Sequence, residues 1–600
     1  MTRFKLKNFL KFACFAALVY LIVNSVYFRN PNSIENSSNV ATTQSVELST
    51  EELLISTSEH LESNLVDWHN YTQIEEELKR RGPGEQGSGV RIPKAEEEEQ
   101  QRIYKENGYD GYASDKISIQ RSLRDIRHPA CKTLKYLKSL PSVSVIIPFH
   151  QEHWSPLIRT VDSVIRRAPL GLIKEVILVD DASRKPFLQK TLEIFLKEHY
   201  PIAKVLRTNG RQGLIRTRVL GAKEAIGDVL IFLDSHSEAN VNWLPPLLEP
   251  IAKNYKTVTC PFIDVINYDT FEYLSQDEGA RGIFDWNFDY KRIPRFKSDE
   301  SHPADPFESP VMAGGLFAIS RKWFWELGGY DEGLDIWGGE QYEISFKLWQ
   351  CGGKMLDVPC SRIGHVYRKY SPFPNNAKGN FISRNFKRVA EVWMDEFKEY
   401  LYLRRPTIRN EDPLNLTNQF AIREKLHCKN FSWFMKEVAF DLVNNYPLIE
   451  PNPVCSGEIK LSNPNNVSVC IDFKFRDSGY VVGLSPCLSV NHKEGGEQNF
   501  ILSWKGEIKP KDRDMCMDSS DHIPGGSVLL FKCHGGRGNQ FFKYKLESQQ
   551  ILFVNSGFCL EGDPASKHIA LQTCNETITD QKWIWTSVNM TELKKLHDFN

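Results

Sequence analysis

The sequence predicts an N-terminal membrane helix followed by two domains of different fold class, an α/β domain with a mostly parallel sheet and an all-β trefoil. Three observations lead to this prediction. Residues 9–28 are almost entirely apolar, short apolar strands alternate with amphipathic helices from Ser142 onward, and a cysteine-containing pattern repeats three times after residue 455. At 600 residues the chain is too long for one compact core, since most domains have about 100–150 residues.

The composition limits the classes of function. Hydrophobic residues make up 41% of the chain and aromatic residues 12%, which are values of globular proteins and not of disordered or fibrous ones. The 75 basic residues are balanced by 76 acidic ones, and the net charge is -1. The sequence therefore does not indicate a general nucleic-acid-binding protein.

Residues 9–28 are predicted to form a transmembrane signal-anchor that follows a cytoplasmic tail, residues 1–8. A helix of this length spans about 30 Å of hydrocarbon. Four basic residues precede or enter the segment, whereas Arg29 alone follows it closely, so the positive-inside rule places the rest of the chain in the lumen. The apolar run from Phe12 to Val23 is short enough for a cleaved signal peptide. Because no small-x-small cleavage site follows Val23, the uncleaved type II anchor is favoured.

Residues 29–113 are predicted to be a lumenal stem. Asn, Ser and Thr tracts, Gly-rich turns and the acidic run 96–99 leave little apolar surface to bury, although a short helix is expected near 72–81.

Cysteines and glycosylation acceptors indicate the compartment. The twelve cysteines outside the anchor form an even set with no CxxC pair, which favours disulfides over zinc. Asn-x-Ser/Thr acceptors occur at Asn36, Asn70, Asn415, Asn430, Asn466, Asn575 and Asn589. Together they predict the oxidising lumen of the secretory pathway.

The predicted strands of the α/β domain place polar residues at one sheet edge. Strands near 143–149, 176–179 and 229–233 alternate with helices near 154–167 and 214–226. This alternation predicts a mostly parallel sheet with right-handed crossovers, and ligands bind beyond the carboxyl ends of such strands. Asp180-Asp181 follows the second strand and Asp234-Ser235-His236 follows the third.

Asp234 and His236 project to the same side of an extended segment, so the two side chains converge. Oxygen and nitrogen ligands suit a divalent ion of the Mn²⁺ type, which can neutralise a diphosphate. The alternative is a structural Asp-x-His pair, which is common. Asp181 is a candidate for holding a nucleotide ribose or base, or it belongs to a solvated turn. Arg211 lies just before an expected helix start and suits an anion, unless it forms a surface salt bridge.

Two glycine-containing segments suit a sugar. Asp335-Ile-Trp337-Gly-Gly-Glu340 combines an aromatic plate with a carboxylate, and the small-residue run 310–317 contains Gly315. The alternative for each is a tight turn with a core Trp. His365 is followed closely by Arg368 and Lys369, although a single histidine is more often structural than a ligand.

The C-terminal region contains three related repeats. Cys470-Ile-Asp472, Cys516-Met-Asp518 and Cys559-Leu-Glu561 each precede a second cysteine by 17, 17 and 15 residues and then a Gln-x-aromatic motif. A propeller is disfavoured, because three copies do not close one and the Trp-Asp signature is missing. Three units around one core, each with a local disulfide, predict a β-trefoil. The expected pairs are Cys470–Cys487, Cys516–Cys533 and Cys559–Cys574.

Five motifs follow one another along the chain, namely Asp-Ser-His at 234–236, Ala-Gly-Gly-Leu-Phe at 313–317, Trp-Gly-Gly-Glu at 337–340, Gly-His-Val-Tyr-Arg-Lys at 364–369 and Ala-Glu-Val-Trp-Met-Asp-Glu-Phe at 390–397. With the trefoil repeats after them, these motifs resemble those of the polypeptide N-acetylgalactosaminyltransferases. The resemblance extends from about Asp115 to the C-terminus. It implies a GT-A catalytic domain at 114–440, a linker at 441–455 and a ricin-type lectin trefoil at 456–600.

The resemblance also implies an activity, the transfer of GalNAc from UDP-GalNAc to Ser or Thr of polypeptides. The configuration is retained, the cofactor is Mn²⁺, and the reaction initiates or extends mucin-type O-glycosylation. UDP leaves on the front face and its β-phosphate helps to take the acceptor proton. No protein nucleophile is required, in agreement with the absence of an evident Ser/Cys–His pair in the sequence.

The roles that the resemblance implies for individual residues follow the matching motifs. Asp234, His236 and His365 ligate the metal, His150 and Asp181 hold the uridine, Arg211 and Arg368 contact the diphosphate side, Gly315 lies at the donor sugar, and Trp337 and Glu340 organise the sugar and the acceptor hydroxyl. The resemblance further implies disulfides Cys131–Cys360 and Cys351–Cys428, and it leaves Cys260 and Cys455 unassigned.

In the trefoil, the resemblance places a GalNAc site in the middle repeat, at Asp518, His534 and Asn539. The first repeat has Glu497 where Asn is expected, and the third has Glu561 and Asp580. The alternative is that these acids only brace the turns of the trefoil.

Three departures from the family pattern refine the prediction. Gln341-Tyr342-Glu343 follows Glu340, as in the branch that prefers acceptors already carrying GalNAc. Ser237 replaces the usual Cys, and Ser371 and Phe373 replace His and Tyr, so the contribution of the lid to turnover is expected to differ.

The expected protein is thus a single-pass type II enzyme of the Golgi membrane whose partners are UDP-GalNAc and peptide or GalNAc-glycopeptide acceptors, with no nucleic acid. The rival interpretations are a retaining transferase that uses another UDP-sugar and a catalytically silent glycan-binding protein.

Overall fold

A computed structural model describes residues 64–276, 280–373, 379–462, 468–473, 482–490 and 496–598. The predicted tail 1–8, the predicted signal-anchor 9–28 and the first part of the predicted stem lie outside the described residues. Within the described ranges, no helix combines the length and the hydropathy that a membrane span needs.

The first domain is built on a ten-stranded mixed sheet. The strands up to residue 366 are β1 (Leu65–Val66), β2 (Tyr136–Leu137), β3 (Val143–Phe149), β4 (Ile173–Asp180), β5 (Ala203–Arg207), β6 (Val229–Phe232), β7 (Ser237–Ala239), β8 (Thr257–Ile266), β9 (Tyr273–Leu274), β10 (Ala280–Phe284), β11 (Tyr290–Pro294), β12 (Phe307–Glu308), β13 (Phe317–Ser320) and β14 (Lys354–Val366). The sheet order is β12-β14-β8-β13-β6-β3-β4-β5, with β7 on β14 and β9 on β8, while β1–β2 and β10–β11 form separate ribbons.

Four of the nine strand pairs in this sheet are parallel, so the predicted parallel arrangement holds for the strands near 143–149, 176–179 and 229–233 but not for the sheet as a whole. Strands β6, β3, β4 and β5 run parallel to one another, and β8 is parallel to β14. Strand β13 is antiparallel to both β6 and β8 and joins the two parallel groups. The carboxyl ends of β3, β4 and β6 therefore meet at one edge.

Helices cover both faces of the sheet. They are α1 (Tyr71–Lys79), α2 (Glu97–Asn107), α3 (Gly111–Asp115), α4 (Trp154–Arg166), α5 (Lys190–His199), α6 (Leu214–Lys223), α7 (Leu244–Lys253), α8 (Lys297–Glu300), α9 (Arg321–Glu326), α10 (Glu340–Gln350), α11 (Phe381–Trp393), α12 (Lys398–Arg404), α13 (Pro406–Arg409), α14 (Thr417–Lys425), α15 (Phe431–Glu437) and α16 (Leu442–Asn445). Strand β3 is buried along its whole length; Val145 and Ile147 pack into one hydrophobic cluster and Ile146 into the other. This alternation follows the period of two of a strand whose two faces are both covered.

The described part of the predicted stem differs from the prediction. Helix α1 forms where a helix was expected, but residues 64–113 pack on the first domain. The side chain of Tyr109 is 0% exposed, Ile103 is buried, and Glu77 lies 3.0 Å from Arg167. The prediction that this segment buries little is therefore wrong for these residues, because a few apolar and paired charged side chains among many polar ones suffice to dock it.

The C-terminal domain is a β-trefoil, as predicted. Its elements are β15 (Cys455–Leu461), β16 (Val469–Phe473), β17 (Val482–Pro486), β18 (Phe500–Leu502), β19 (Ile508–Pro510), β20 (Met515–Asp518), β21 (Leu529–Lys532), β22 (Phe542–Lys545), β23 (Gln550–Phe553), β24 (Phe558–Asp563), β25 (His568–Gln572), β26 (Trp583–Val588) and the terminal helix α17 (Met590–Asp598). Apolar side chains from all three repeats, such as Leu484, Leu530 and Leu571, share one buried cluster. The predicted linker 441–455 contains α16 and ends where β15 begins.

The structure contains the five disulfides expected from the sequence, namely Cys131–Cys360, Cys351–Cys428, Cys470–Cys487, Cys516–Cys533 and Cys559–Cys574. The two cysteines left unassigned, Cys260 and Cys455, are free thiols and both are buried.

Candidate functional site

The polar residues at the carboxyl edge of the sheet converge, as the strand pattern predicts. His150 follows β3, Asp181 follows β4, and Asp234 and His236 lie beyond β6. His365 comes from the far end of the long strand β14, which pairs with β7 beside His236.

Asp234, His236 and His365 form a cluster suited to a metal ion. The candidate ligand atoms of the three residues all lie within 4.8 Å of one another, and His365 Nε2 is 3.2 Å from Asp234 Oδ2. The two ring nitrogens of His365 are buried, and among the described residues neither has a hydrogen-bond partner of good geometry. One carboxylate and two imidazoles fit Mn²⁺, which accepts mixed oxygen and nitrogen ligands.

Electrostatics keep the acid of this cluster charged. Burial alone would raise the pKa of Asp234, but His365 and the guanidinium of Arg218 lower it below its ordinary value. Burial lowers the pKa of His236, which favours the neutral imidazole that a metal requires.

Glu152 contacts the cluster through His236 Nδ1. The sequence analysis did not identify this residue. The carboxylate, 1% exposed, lies 2.8 Å from His236 Nδ1 and accepts hydrogen bonds from Ser235 Oγ, at 2.6 Å, and Arg368 Nη2, at 2.8 Å. The hydroxyl of Tyr109 also donates to it. Burial opposes ionisation, but Arg368 and His236 hold the pKa of Glu152 well below its usual range. His236 thereby directs Nε2 toward the cluster. The position of Glu152 just after β3 was the available signal.

The residues predicted to bind the nucleotide also come together. The Asp181 carboxylate pairs with Arg211 and accepts backbone hydrogen bonds from Gln212, at 2.6 Å, and Gly213, at 2.8 Å. His150 Nδ1 lies 2.6 Å from the carbonyl oxygen of Asp181. A cavity of about 500 Å³ is lined by His150, Asp181, Arg211, Asp234, His236, Trp337, His365, Arg368, Ser371 and Phe373.

A second, larger cavity of about 840 Å³ continues from the same cluster. Asp234, Trp337 and His365 line both cavities, and Gly315 and Glu340 line the larger one. Its opposite wall comes from the trefoil, at Lys532, Cys533, His534 and Gly536. The Nζ atom of Lys291 donates to the carbonyl oxygen of Cys533, at 3.4 Å, across this junction.

Arg218, which the sequence analysis did not single out, lines the larger cavity beside Asp234. The guanidinium is buried and donates to the carbonyl oxygens of Gly314, at 2.8 Å, and Gly315, at 2.9 Å, and to Asp234 Oδ1, at 3.3 Å. A Cβ atom on Gly315 would lie 2.9 Å from Asp234 Oδ2, so only glycine leaves this carboxylate room. Burial raises the pKa of Glu340 above its ordinary value.

The loop that carries Trp337 is bound by the buried side chain of Asn385 of α11. Its Nδ2 donates to the carbonyl oxygens of Asp335, at 2.8 Å, and Gly338, at 2.8 Å, while Oδ1 accepts from Asp335 N, at 2.9 Å. Glu340 Oε2 accepts from Gly338 N, at 2.7 Å. The Trp337 ring is 56% exposed at the cavity mouth, so the loop presents an aromatic plate on a fixed backbone.

The middle trefoil repeat contains the predicted lectin residues. Gln540 Nε2 donates to Asp518 Oδ2, at 2.9 Å, its Oε1 accepts from His534 N, at 3.1 Å, and the carbonyl oxygen of Asn539 accepts from Ser519 N, at 3.0 Å. The same Gln–acid pair occurs in the first repeat, at Asp472, and in the third, at Glu561. Bracing therefore occurs in all three repeats. What distinguishes the middle one is an exposed His534 that faces the larger cavity.

Comparisons with known proteins agree with this arrangement. Residues 144–328 match the model of glycosyl transferase family 2, residues 294–371 that of the N-terminal domain of galactosyltransferase, and residues 457–583 that of the ricin-type beta-trefoil lectin domain. The putative polypeptide N-acetylgalactosaminyltransferase 10 of Caenorhabditis briggsae is 53% identical over 530 residues, which are 87% of this chain and 84% of that relative. This chain belongs to the polypeptide N-acetylgalactosaminyltransferase family.

Two further members of the family support the assignment. Polypeptide N-acetylgalactosaminyltransferase 10 of Homo sapiens is 48% identical over 543 residues, 89% of this chain and 88% of that one. A crystal structure of GalNAc-T7 with UDP, GalNAc and Mn²⁺ superposes with a TM-score of 0.60 at 38% identity, covering 85% of this chain and 93% of that one. The resemblance noted in the sequence is thus confirmed.

The chain departs from the family pattern at Phe373, as the sequence indicated. Phe373 packs edge-to-face on His150, with ring centroids 5.2 Å apart, and the Arg368 guanidinium lies 5.3 Å from the Phe373 ring. The replacement of Tyr by Phe therefore keeps an aromatic ring at the predicted uridine site but removes its hydroxyl.

Proposed function

We propose that this chain transfers GalNAc from UDP-GalNAc to Ser or Thr hydroxyls of polypeptides, with Mn²⁺ as cofactor and with retention of configuration. The observation that carries the proposal is the convergence of Asp234, His236 and His365 beside Trp337 and Glu340, in a chain about half identical to named transferases. The complete cluster disfavours a catalytically silent lectin.

In this proposal, each cavity binds a different part of the substrates. In the smaller one His150 and Asp181 hold the uridine, and Arg211 and Arg368 lie toward the diphosphate. Asp234, His236 and His365 would hold Mn²⁺, which when bound neutralises charge on the diphosphate.

At the junction of the cavities, Gly315 and Trp337 enclose the donor sugar, and Glu340 orients it against the acceptor hydroxyl. Arg218 stabilises both carboxylates at this point, because it contacts Asp234 and lies near Glu340. The acceptor proton passes to the departing β-phosphate, so the chain needs no nucleophile of its own.

The larger cavity supports a preference for acceptors that already carry GalNAc. Its two walls contain Glu340 and His534, so an acceptor at Glu340 can extend toward the GalNAc site predicted at Asp518, His534 and Asn539, of which His534 lines the cavity. Transfer to a naked peptide initiates mucin-type O-glycosylation, whereas transfer to a peptide that already carries GalNAc extends it.

The test is transfer from UDP-GalNAc with Mn²⁺ to paired naked and GalNAc-bearing peptides. We expect faster transfer to the glycopeptide and loss of transfer to both in Asp234→Ala, with Asp512→Ala, an exposed acid of the trefoil, as the control. Stronger competition by another UDP-sugar would assign a different donor. Equal rates on both peptides would reject the glycopeptide preference, and a preference that survives Asp518→Ala would place it in the catalytic domain.

We further propose that the protein is a single-pass type II protein of the Golgi membrane, with both domains lumenal. The apolar segment 9–28 with its flanking charges and the five disulfides support this location. Protease added to intact Golgi vesicles should leave the catalytic domain whole, and should digest it once detergent is added. Digestion without detergent would reject the orientation.

A further inference from the structure

A cavity of about 680 Å³ lies away from the catalytic edge, between the start of α1 and the end of α4. Its lining includes Asp67, Trp68, Asn70, Ile74, Leu170 and Asn242. The volume falls within the range of about 300–1,000 Å³ that small-molecule sites occupy. None of these residues takes part in the proposed transfer reaction.

Asn242 lines this cavity, and its side-chain oxygen is buried. Asn242 is 5% exposed, and among the described residues its Oδ1 atom accepts no hydrogen bond. Its Nδ2 lies 3.3 Å from His69 Nε2, and its backbone has a φ of 50°. A buried carbonyl oxygen without a donor costs about 1–3 kcal/mol, so a group that donates to it in the finished protein is expected.

The same cavity is lined by a glycosylation acceptor. Asn70 belongs to the triplet Asn70-Tyr71-Thr72 and is exposed at the N-cap of α1. Its Oδ1 accepts from Gln73 N, at 3.1 Å, whereas its Nδ2 makes only a long contact of 3.4 Å with Gln73 Oε1. A sugar attached to Nδ2 leaves the helix cap intact.

We propose that Asn70 carries an N-linked glycan whose first N-acetylglucosamine residues lie in this cavity. The proposal rests on the lumenal orientation proposed above. In the lumen, a lipid-linked oligosaccharide diphosphate is the donor. The bond between C1 of its first sugar and the diphosphate oxygen breaks, C1 bonds to Asn70 Nδ2, and the amide loses one proton.

The lining matches the chemistry of this sugar. The acetamido N–H donates to Asn242 Oδ1, and the Asp67 carboxylate accepts from a hydroxyl. The apolar C–H face packs on Ile74 and on Leu170, a leucine that is otherwise fully exposed. The glycan thus satisfies the buried oxygen and covers the apolar rim at once.

The experiment uses the full chain expressed in a secretory eukaryotic cell. An endoglycosidase that cleaves between the two core N-acetylglucosamines is applied to native and to unfolded protein, and release is followed site by site by mass spectrometry. We expect release from Asn70 in the native protein to be at least tenfold slower than from Asn575, an exposed acceptor of the trefoil, and the two rates to become equal after unfolding.

Variants of Asn242 distinguish a glycan that is bound in the cavity from one that is only linked to Asn70. Asn242→Ala should bring the native release rate at Asn70 to that at Asn575, whereas Asn242→Asp, which keeps an acceptor oxygen, should retain the protection. GalNAc transfer and the melting temperature of each variant show whether it folds. Equal protection in Asn242→Ala and in the parent chain would reject the seating in the cavity.

Two other outcomes overturn the proposal. An unmodified Asn70 in protein whose Asn575 is glycosylated rejects Asn70 as an acceptor, and equal native release from both sites rejects the bound position of the glycan. If neither site is modified, the proposal fails together with the lumenal orientation. GalNAc transfer by the same preparation would then leave the proposed enzymatic function standing.

Discussion

At the scale of single residues, Glu152 is a central residue of the active site, because its carboxylate contacts Tyr109, Ser235, His236 and Arg368. It binds His236 at Nδ1 and also binds Arg368, the residue proposed to lie toward the diphosphate. A metal-binding histidine that donates to a buried carboxylate keeps one tautomer and one ring orientation.

Glu152→Gln should therefore raise the Mn²⁺ concentration needed for half-maximal transfer by about 10- to 100-fold, the usual cost of losing such a partner. The change is measured as a Mn²⁺ titration of initial rates. Glu175→Gln, which alters a buried acid that bonds Ser144 and pairs with Lys204 away from the cluster, serves as the control. An unchanged Mn²⁺ requirement in Glu152→Gln would remove the proposed positioning role.

Asp357 offers a pH test at the same scale. It lines a small chamber of about 70 Å³ beside the larger cavity, and burial raises its pKa to about 7, against weaker opposing effects of Ser309 and Arg292. Between its unfolded and folded pKa values, the folded protein holds a proton that the unfolded chain has lost. Stability therefore falls as the pH rises from about 4 to about 7, by at most about 1.4 kcal/mol per pH unit from this group.

Asp357→Asn should flatten this dependence, because the amide does not titrate. We expect the loss in melting temperature between pH 5 and pH 7 to be smaller in the variant than in the parent chain, by a few degrees. Asp512→Asn, at an exposed acid, should leave the slope unchanged. Parallel slopes for Asp357→Asn and the parent would show that Asp357 titrates in the ordinary range.

At the scale of elements, helix α11 and the Trp337 loop act as one part. Asn385 binds the loop at three backbone positions, and a parallel bridge joins Ile336 to Gly213 at the start of α6. A Cβ on Gly213 would lie 2.3 Å from Ile336 Cα, so this approach depends on glycine.

Asn385→Ala should lower kcat/KM for transfer by about 100-fold, since a displacement of a positioned group by about 1 Å has an effect of this size. Ser383→Ala, two residues earlier on α11, is the matched control. Because a folding defect would also reduce activity, binding of UDP should be measured as well. A retained rate with Asn385→Ala would mean that the loop is held by its other contacts.

Sequence reasoning predicted the elements better than the contacts between distant segments. Asp234, His236 and Asp181 could be found because each follows a buried strand of a parallel sheet, and that placement alone brings them to one edge. Glu152 obeys the same rule but was overlooked beside His150. Tyr109 and Asn385 could not be found in this way, because their roles depend on partners 43 to 50 residues away, which no local period reveals.

At the scale of the whole molecule, the segment before residue 114 belongs to the catalytic domain in physical terms. Tyr109 donates to Glu152, Gly108 accepts from Lys369 N, at 2.8 Å, and Lys185 Nζ donates to Asn107 Oδ1, at 3.1 Å. These contacts connect the predicted stem to the residues beside the metal cluster.

A chain that begins at Asn64 should therefore be active, whereas one that begins at Ser114 should lose transfer almost entirely. Yield, melting temperature and rate are compared for the two chains. In the longer chain, Tyr109→Phe should reduce the rate less than truncation does, because it removes one hydrogen bond and keeps the packing. Full activity of the chain from Ser114 would restore the predicted boundary between stem and catalytic domain.

The larger cavity has one wall from each domain, so the residues proposed to act on the donor and the site proposed to bind the acceptor's GalNAc belong to different domains. The groups that break and form bonds are fixed by the sheet edge, whereas the span to the trefoil depends on the short connection after residue 440. Lengthening or stiffening that connection would change which spacing of sugars along a substrate fits, with every reacting group left in place. Substitutions in this connection are thus expected to change which glycopeptides are accepted, with the residues at the sheet edge unchanged.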